Sequence, residues 1–319
     1  VVVGFQDGGF DQPESWDKVI GQFTVEHTTP NNNLIYGRIS TAHKPGVFNF
    51  ASPPVPGVPT VVEESTLINY EAGIKGTYLS GRMQLAASAF YMNYDKMHLA
   101  ATQALDSDFT PGLFNESPLA EYTAAIPDTK VYGLEVEYSY AFNSRTSIIG
   151  FYAYTDSEVG KHSSVILGDP NAEYELYDHL DLETGEPTQS WYELPADQTG
   201  NRLPSQAKHK AAMTLVHQFP LSDGGSLSFL GTWAFNGKMY PSIGNIDLYE
   251  IPSYSRFDAS MTWTSKSENL STQLYVNNVF DKIGLNEFVA SGGFGGQVFL
   301  GSPTNHREVG VTVRWTPEF

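Results

Sequence analysis

Apolar residues recur at every second position through much of this chain. In Glu308–Trp315, Val309, Val311, Val313 and Trp315 fall on one face, with Glu308, Gly310, Thr312 and Arg314 on the other. Within 70–78, Tyr70, Ala72, Ile74 and Tyr78 oppose Glu71, Lys75 and Thr77. Within 131–140, Tyr132, Leu134, Val136, Tyr138 and Tyr140 oppose Glu135, Glu137 and Ser139. Within 256–264, Phe257, Ala259, Met261 and Trp263 oppose Arg256, Asp258, Ser260 and Thr262. A period of two is a strand signal. It predicts strands at 17–29, 34–43, 66–79, 83–99, 129–142, 146–158, 205–219, 226–240, 253–265, 269–280 and 306–316. Many of these runs reach the roughly 9–11 residues a tilted membrane strand needs, beyond the ~5–6 of a typical soluble strand.

The connections alternate in length. Short ones rich in turn formers fall at 30–33, 80–82, 143–145, 222–225 and 266–268. Long ones fall at 44–65, 100–128, 159–204, 241–252 and 281–305. Outer-membrane barrels have short turns at one end and long loops at the other. The expected fold is therefore all-β, the wall of an antiparallel transmembrane β-barrel. Its strand count, about eleven, is odd, whereas single-chain bacterial barrels use even numbers. An open sheet in lipid leaves unpaired backbone groups at each edge, at a cost of several kcal/mol per group. The chain is thus expected to be the second half of a larger barrel, with the first half outside this sequence.

Composition narrows the class further. None of the 319 residues falls in an apolar run long enough for a membrane helix, which leaves strands as the only membrane-crossing element. A formal charge of −18 argues against nucleic acid, which needs a basic face. Cysteine is absent, as suits passage through an oxidising compartment, although many cytosolic proteins share that trait. The first residues, Val1–Phe5, lack the basic start of a signal peptide, so the chain is expected to be processed, truncated or cytosolic.

Several segments resemble TonB-dependent outer-membrane receptors. They are Leu34–Asn49; Asn69–Gly76 with Gly81, Arg82 and Ala89–Tyr91; Lys130–Glu137; Val276–Lys282; and the last strand ending at Phe319. They occur in the family's order and span most of the chain. The resemblance implies a 22-stranded barrel with a plug in its lumen, this chain supplying strands 12 to 22. The plug and the TonB-engaging segment have no counterpart here. The implied partners are a TonB complex acting through that missing N-terminal region, outer-membrane lipid, and a small-molecule ligand. An iron–siderophore chelate comes first, with cobalamin or a glycan as the other cargoes. No cofactor and no enzymatic activity are expected. Two other classes remain open: a non-transporting surface barrel, and a soluble lectin-like β-protein.

Ligand capture is expected at external loops and the upper lumen. Trp191, Tyr192, Tyr240, Tyr249 and Phe294 lie in or beside long connections where a ligand can stack; an aromatic girdle or loop anchors would explain them equally. Arg38, Glu71, Lys75, Glu135 and Glu137 are expected to face the lumen, and Lys208 and Lys210 are further basic candidates. Oxygen ligands along Asp178–Glu183 suggest Ca²⁺, but the EF-hand spacing is missing and solvated loop charge is the default. Gly292–Gly296 lacks the strand–helix context of a nucleotide loop. His162, His179 and His209 are scattered, and period-two spacing on a wet wall explains the lumen carboxylates without catalysis.

Overall fold

The computed structural model describes residues 15–49, 58–104, 119–166, 169–180, 187–293 and 296–317. Eleven strands form one antiparallel meander, each paired with its neighbours in chain order. They are β1 (Gln22–Thr28), β2 (Leu34–Lys44), β3 (Ser65–Tyr78), β4 (Met83–Asp95), β5 (Thr129–Ala141), β6 (Thr146–Glu158), β7 (His209–Pro220), β8 (Ser226–Asn236), β9 (Tyr254–Thr264), β10 (Leu270–Asn277) and β11 (Glu308–Trp315). The five short turns fall where expected, and the five long connections, between the wall strands at 45–64, 96–128, 159–208, 237–253 and 278–307, lie within a few residues of their expected bounds. Among the described residues, β1 and β11 each pair on one side only.

Register fixes the two faces. Directly opposed residues share a face, so one continuous row runs Tyr36, Gly73, Ser88, Glu135, Ala153, Lys210, Asn236 and Tyr254. Flanking rows hold Arg38, Glu71 and Phe90 above, and Lys75, Ala86 and Glu137 below. The other face carries Ile39, Ile74, Leu134, Leu215, Leu274 and Val311. These side chains stay open in the isolated chain: Leu274 is 56 % exposed and Val311 62 %. An apolar face this large and uncovered suits a lipid surface. The first face is the inward one. Polar and small residues predominate on it, with apolar members that include Leu67, Phe90, Ile149, Phe151 and Leu230. Glycine is used where an aromatic ring lies flat on the wall: a Cβ on Gly73 would meet the Tyr36 ring at 2.7 Å.

The buried core lies outside the wall. Ala101, Ala124, Ile126, Val159 and Ile243, from three different long connections, form one cluster; Ala207, Met239 and Ile251 form another. The physical reason is that one face of the wall meets lipid and the other the lumen, so neither can bury a conventional core. The loops must supply their own. They do so with extra hairpins, Met97–Ala104 with Leu119–Ile126, Tyr174–Leu180 with Pro187–Glu193, and Leu285–Gly293 with Gly296–Pro303. The predicted strand 83–99 is in fact two elements. Lys96, at φ 61°, turns the chain out of β4 into the first hairpin arm.

Candidate functional site at the mouth of the lumen

On the inward face, Glu71 gathers its neighbours. It pairs with the Arg38 guanidinium and accepts the Tyr36 hydroxyl at 2.7 Å. Lower down, Lys75 and Glu137 stand on either side of Ala86, one strand apart, and line a groove of about 870 Å³ with Gln84 and Thr214. Lys210 lies on the row of Glu135, opposite Ala153 and Asn236.

Above this wall the long connections lock together through side chains that bond backbone. Asn201 donates to the carbonyls of Ile243 and Gly244, and Asn245 accepts from Arg202 N at 2.8 Å while donating to Arg202 O. Ser157 Oγ accepts from Leu203 N at 2.9 Å. Asp156 takes Lys208 at 2.6 Å and Arg202 at 3.3 Å. Asn49 ties the 45–64 connection to the first hairpin, donating to Thr123 O and accepting from Thr123 N. Gly160 passes so close to Pro127 O that a Cβ would sit 1.6 Å away. These contacts make the loops a preformed roof.

Beneath the roof is a cleft of about 500 Å³. Its wall is the last inward-facing stretch of three neighbouring strands, with Lys44, Ser65, Leu67 and Tyr94; its cover is Met97, His98, Leu99, Leu203 and Pro204. Mostly apolar linings with a few polar groups are the usual make-up of small-molecule sites.

The TonB dependent receptor-like β-barrel family matches residues 4–279. The chain belongs to the TonB-dependent receptors. The metal-pseudopaline receptor CntO of Pseudomonas aeruginosa is 23% identical over 220 residues, covering 67% of this chain and 23% of CntO. In three dimensions the receptor chain is similar to the ferric yersiniabactin uptake receptor FyuA of Yersinia pestis (TM-score 0.65, 19% identity, 93% of this chain and 37% of FyuA). It is also similar to the siderophore receptor PiuA of Acinetobacter baumannii (TM-score 0.60, 19% identity, 92% and 35%). It thus spans about a quarter of that curated relative and about a third of these solved structures. At such identities the structural likeness speaks for the barrel fold; the family is one of transport receptors rather than enzymes.

The receptor's predicted site residues divide. Arg38, Glu71, Lys75, Glu135 and Glu137 all stand on the polar face of the wall, but Arg38 and Glu71 are spent on each other. Lys208 is likewise committed to Asp156 at the rim. Tyr240 donates its hydroxyl to Asp247 at 2.8 Å, and that bond, with burial, raises its pKa; it anchors the 237–253 connection. Tyr249 sits in a single 3₁₀ turn, Asp247–Tyr249. Trp191 and Tyr192 lie in the Pro187–Glu193 strand, opposite Leu176 and Glu175. Phe294 and the Asp181–Glu183 part of the suggested Ca²⁺ segment lie outside the described residues. Asp178 accepts from Gln189 at 2.7 Å, and no three carboxylate, imidazole or thiol groups converge on a metal position among the described residues. His209 faces outward and bonds the Tyr152 hydroxyl at 2.8 Å. Sequence reasoning missed Lys44, Tyr94 and His98, because only folding brings them to one cleft.

Proposed function

We propose that this chain is the C-terminal half of a 22-stranded outer-membrane uptake receptor that captures a metal chelate at its loop roof and lumen mouth. Import would be driven through TonB by a plug and coupling segment that lie outside these 319 residues. The observation that carries the reading is the pairing of an uncovered apolar face with an inward polar face, capped at one end only by interlocked loops. The names of the relatives, receptors for metal-pseudopaline, ferric yersiniabactin and siderophores, favour a chelated metal over cobalamin or a glycan.

Strand direction supports the half-barrel part. β1 and β11 both run toward the short-turn end, so a second copy of the chain would meet it strand to strand in parallel. An antiparallel closure needs a complement that begins and ends with strands of the opposite direction, and therefore an odd number of them. Eleven more meets that requirement.

The test is uptake of radiolabelled iron, supplied as the chelates in filtrate from an iron-starved culture of the source strain. Deleting the gene should abolish the part of the uptake that also disappears when TonB is inactivated. Uptake that is unchanged by the deletion, across iron, nickel and copper labels, would overturn the proposal.

A further inference from the structure

The cleft under the roof has a chemistry more specific than its position. Lys44 is its one lining lysine or arginine, and makes no ion pair among the described residues. Two carboxylates on the adjoining connection are already engaged: Glu63 holds Lys96, and Glu64 holds both Lys18 and His43. Among the described residues Lys44 is thus a cation without an ion-pair partner in a strongly acidic chain. The hydroxyls of Ser65 and Tyr94, which line the same cleft, make no hydrogen bond among the described residues. His98 donates Nε2–H to the Glu63 carbonyl at 2.7 Å, and its buried Nδ1 has no hydrogen-bond partner among the described residues. The same lining also carries Leu67, Leu99, Leu203 and Pro204.

Resting on the uptake-receptor reading, we propose that this cleft is a subsite for the organic shell of the cargo, selecting a small organic acid. Its carboxylate pairs with Lys44 Nζ, and its apolar or aromatic body packs against the leucines and Pro204. The cleft is large enough for one such group and far too small for a whole protein domain. Binding is charge-selective because a charge-assisted hydrogen bond in a partly enclosed site is the strong kind. The same cleft offers no carboxylate for a cation, since Glu63 and Glu64 are neutralised by their own partners.

The probes are benzoate, its neutral counterpart benzamide, and benzylammonium, each titrated by ligand-observed NMR into the protein purified from its native membrane in detergent. Benzoate should bind about ten-fold more tightly than either of the others. Lys44→Gln should remove that preference while leaving benzamide unchanged, and Lys44→Arg should restore it. Benzamide binding serves as the check that the Lys44→Gln protein is folded. Equal binding of benzoate and benzamide, preference for benzylammonium, or a benzoate preference that survives Lys44→Gln would each overturn the proposal. Gene-deletion uptake of labelled chelate is read separately, so a receptor that transports but ignores benzoate sinks the subsite alone.

Discussion

At the root of the Tyr174–Leu180/Pro187–Glu193 hairpin, Glu193 is 7 % exposed and carries no cation beside it among the described residues. Burial, and then the charge of Asp169, push its carboxyl up to about 7 from the ordinary 4.5; the Ile166 amide opposes this weakly. Tyr174, its cross-strand partner, is itself pushed up by burial and by the same two carboxylates. An acid whose pKa is raised by folding favours the folded form when protonated. The penalty is absent below about 4.5, grows as pH rises toward 7, and is complete above it. Amide protection in the hairpin should therefore be higher at pH 5 than at pH 8. Glu193→Gln should flatten that dependence, and an unchanged pH profile in the variant would assign it to another group. None of this is legible in the sequence, where Glu193 is one of nine acidic residues in a loop. What singles it out is the approach of Ile166 and Asp169 to the hairpin root.

At the scale of elements, the roof behaves as a small domain built from connections. Ile126 is wholly buried in a cluster drawn from the 96–128, 159–208 and 237–253 segments. Truncating such a side chain costs about 2–5 kcal/mol. Ile126→Ala should loosen all three connections together, seen as new protease cuts in each, while the wall keeps its strand content. Cuts confined to 96–128 would mean that the loops are independent. The hairpin arms were hidden in the sequence because Met97–Ala104 continues the β4 pattern without a break. Only the left-handed turn at Lys96 separates them. The Val276–Lys282 segment, by contrast, has a legible physical basis once folded: buried Asn278, at φ 53°, bonds Lys282 N, Lys282 O and Asn305 O and closes the corner after β10.

At the scale of the whole molecule, the two faces of the wall make opposite predictions from adjacent residues. Leu274 points outward and Gln273 inward on β10. Arginine on the lipid face of a barrel costs about 2–4 kcal/mol near the bilayer midplane, whereas lumen positions tolerate it. Leu274→Arg should impair folding of the natural-length protein into lipid vesicles, scored by heat-modifiable gel mobility, and Gln273→Arg should not. Equal effects would remove the assignment of faces, and with it the barrel.

The sequence by itself determined the wall: eleven strands, their faces, and the end at which the loops gather. Alternation is a local record of two different surroundings on the two sides of each strand, so Glu71, Lys75, Glu135 and Glu137 could be placed on one polar face from spacing alone, as the register has them. Tertiary structure alone decided the roof and the cleft. Strand register sets Lys44 opposite Ser65 and Leu67 opposite Tyr94, but His98 and Leu203 join them only after two long connections have packed over the wall, and no local periodicity encodes such long-range contacts. It likewise decided which charges are spent, pairing Arg38 with Glu71 and Lys208 with Asp156 while leaving Lys44 without an ion pair among the described residues. Which basic residues keep their charge available for a ligand depends on partners brought close in space, and the order of residues does not carry that information.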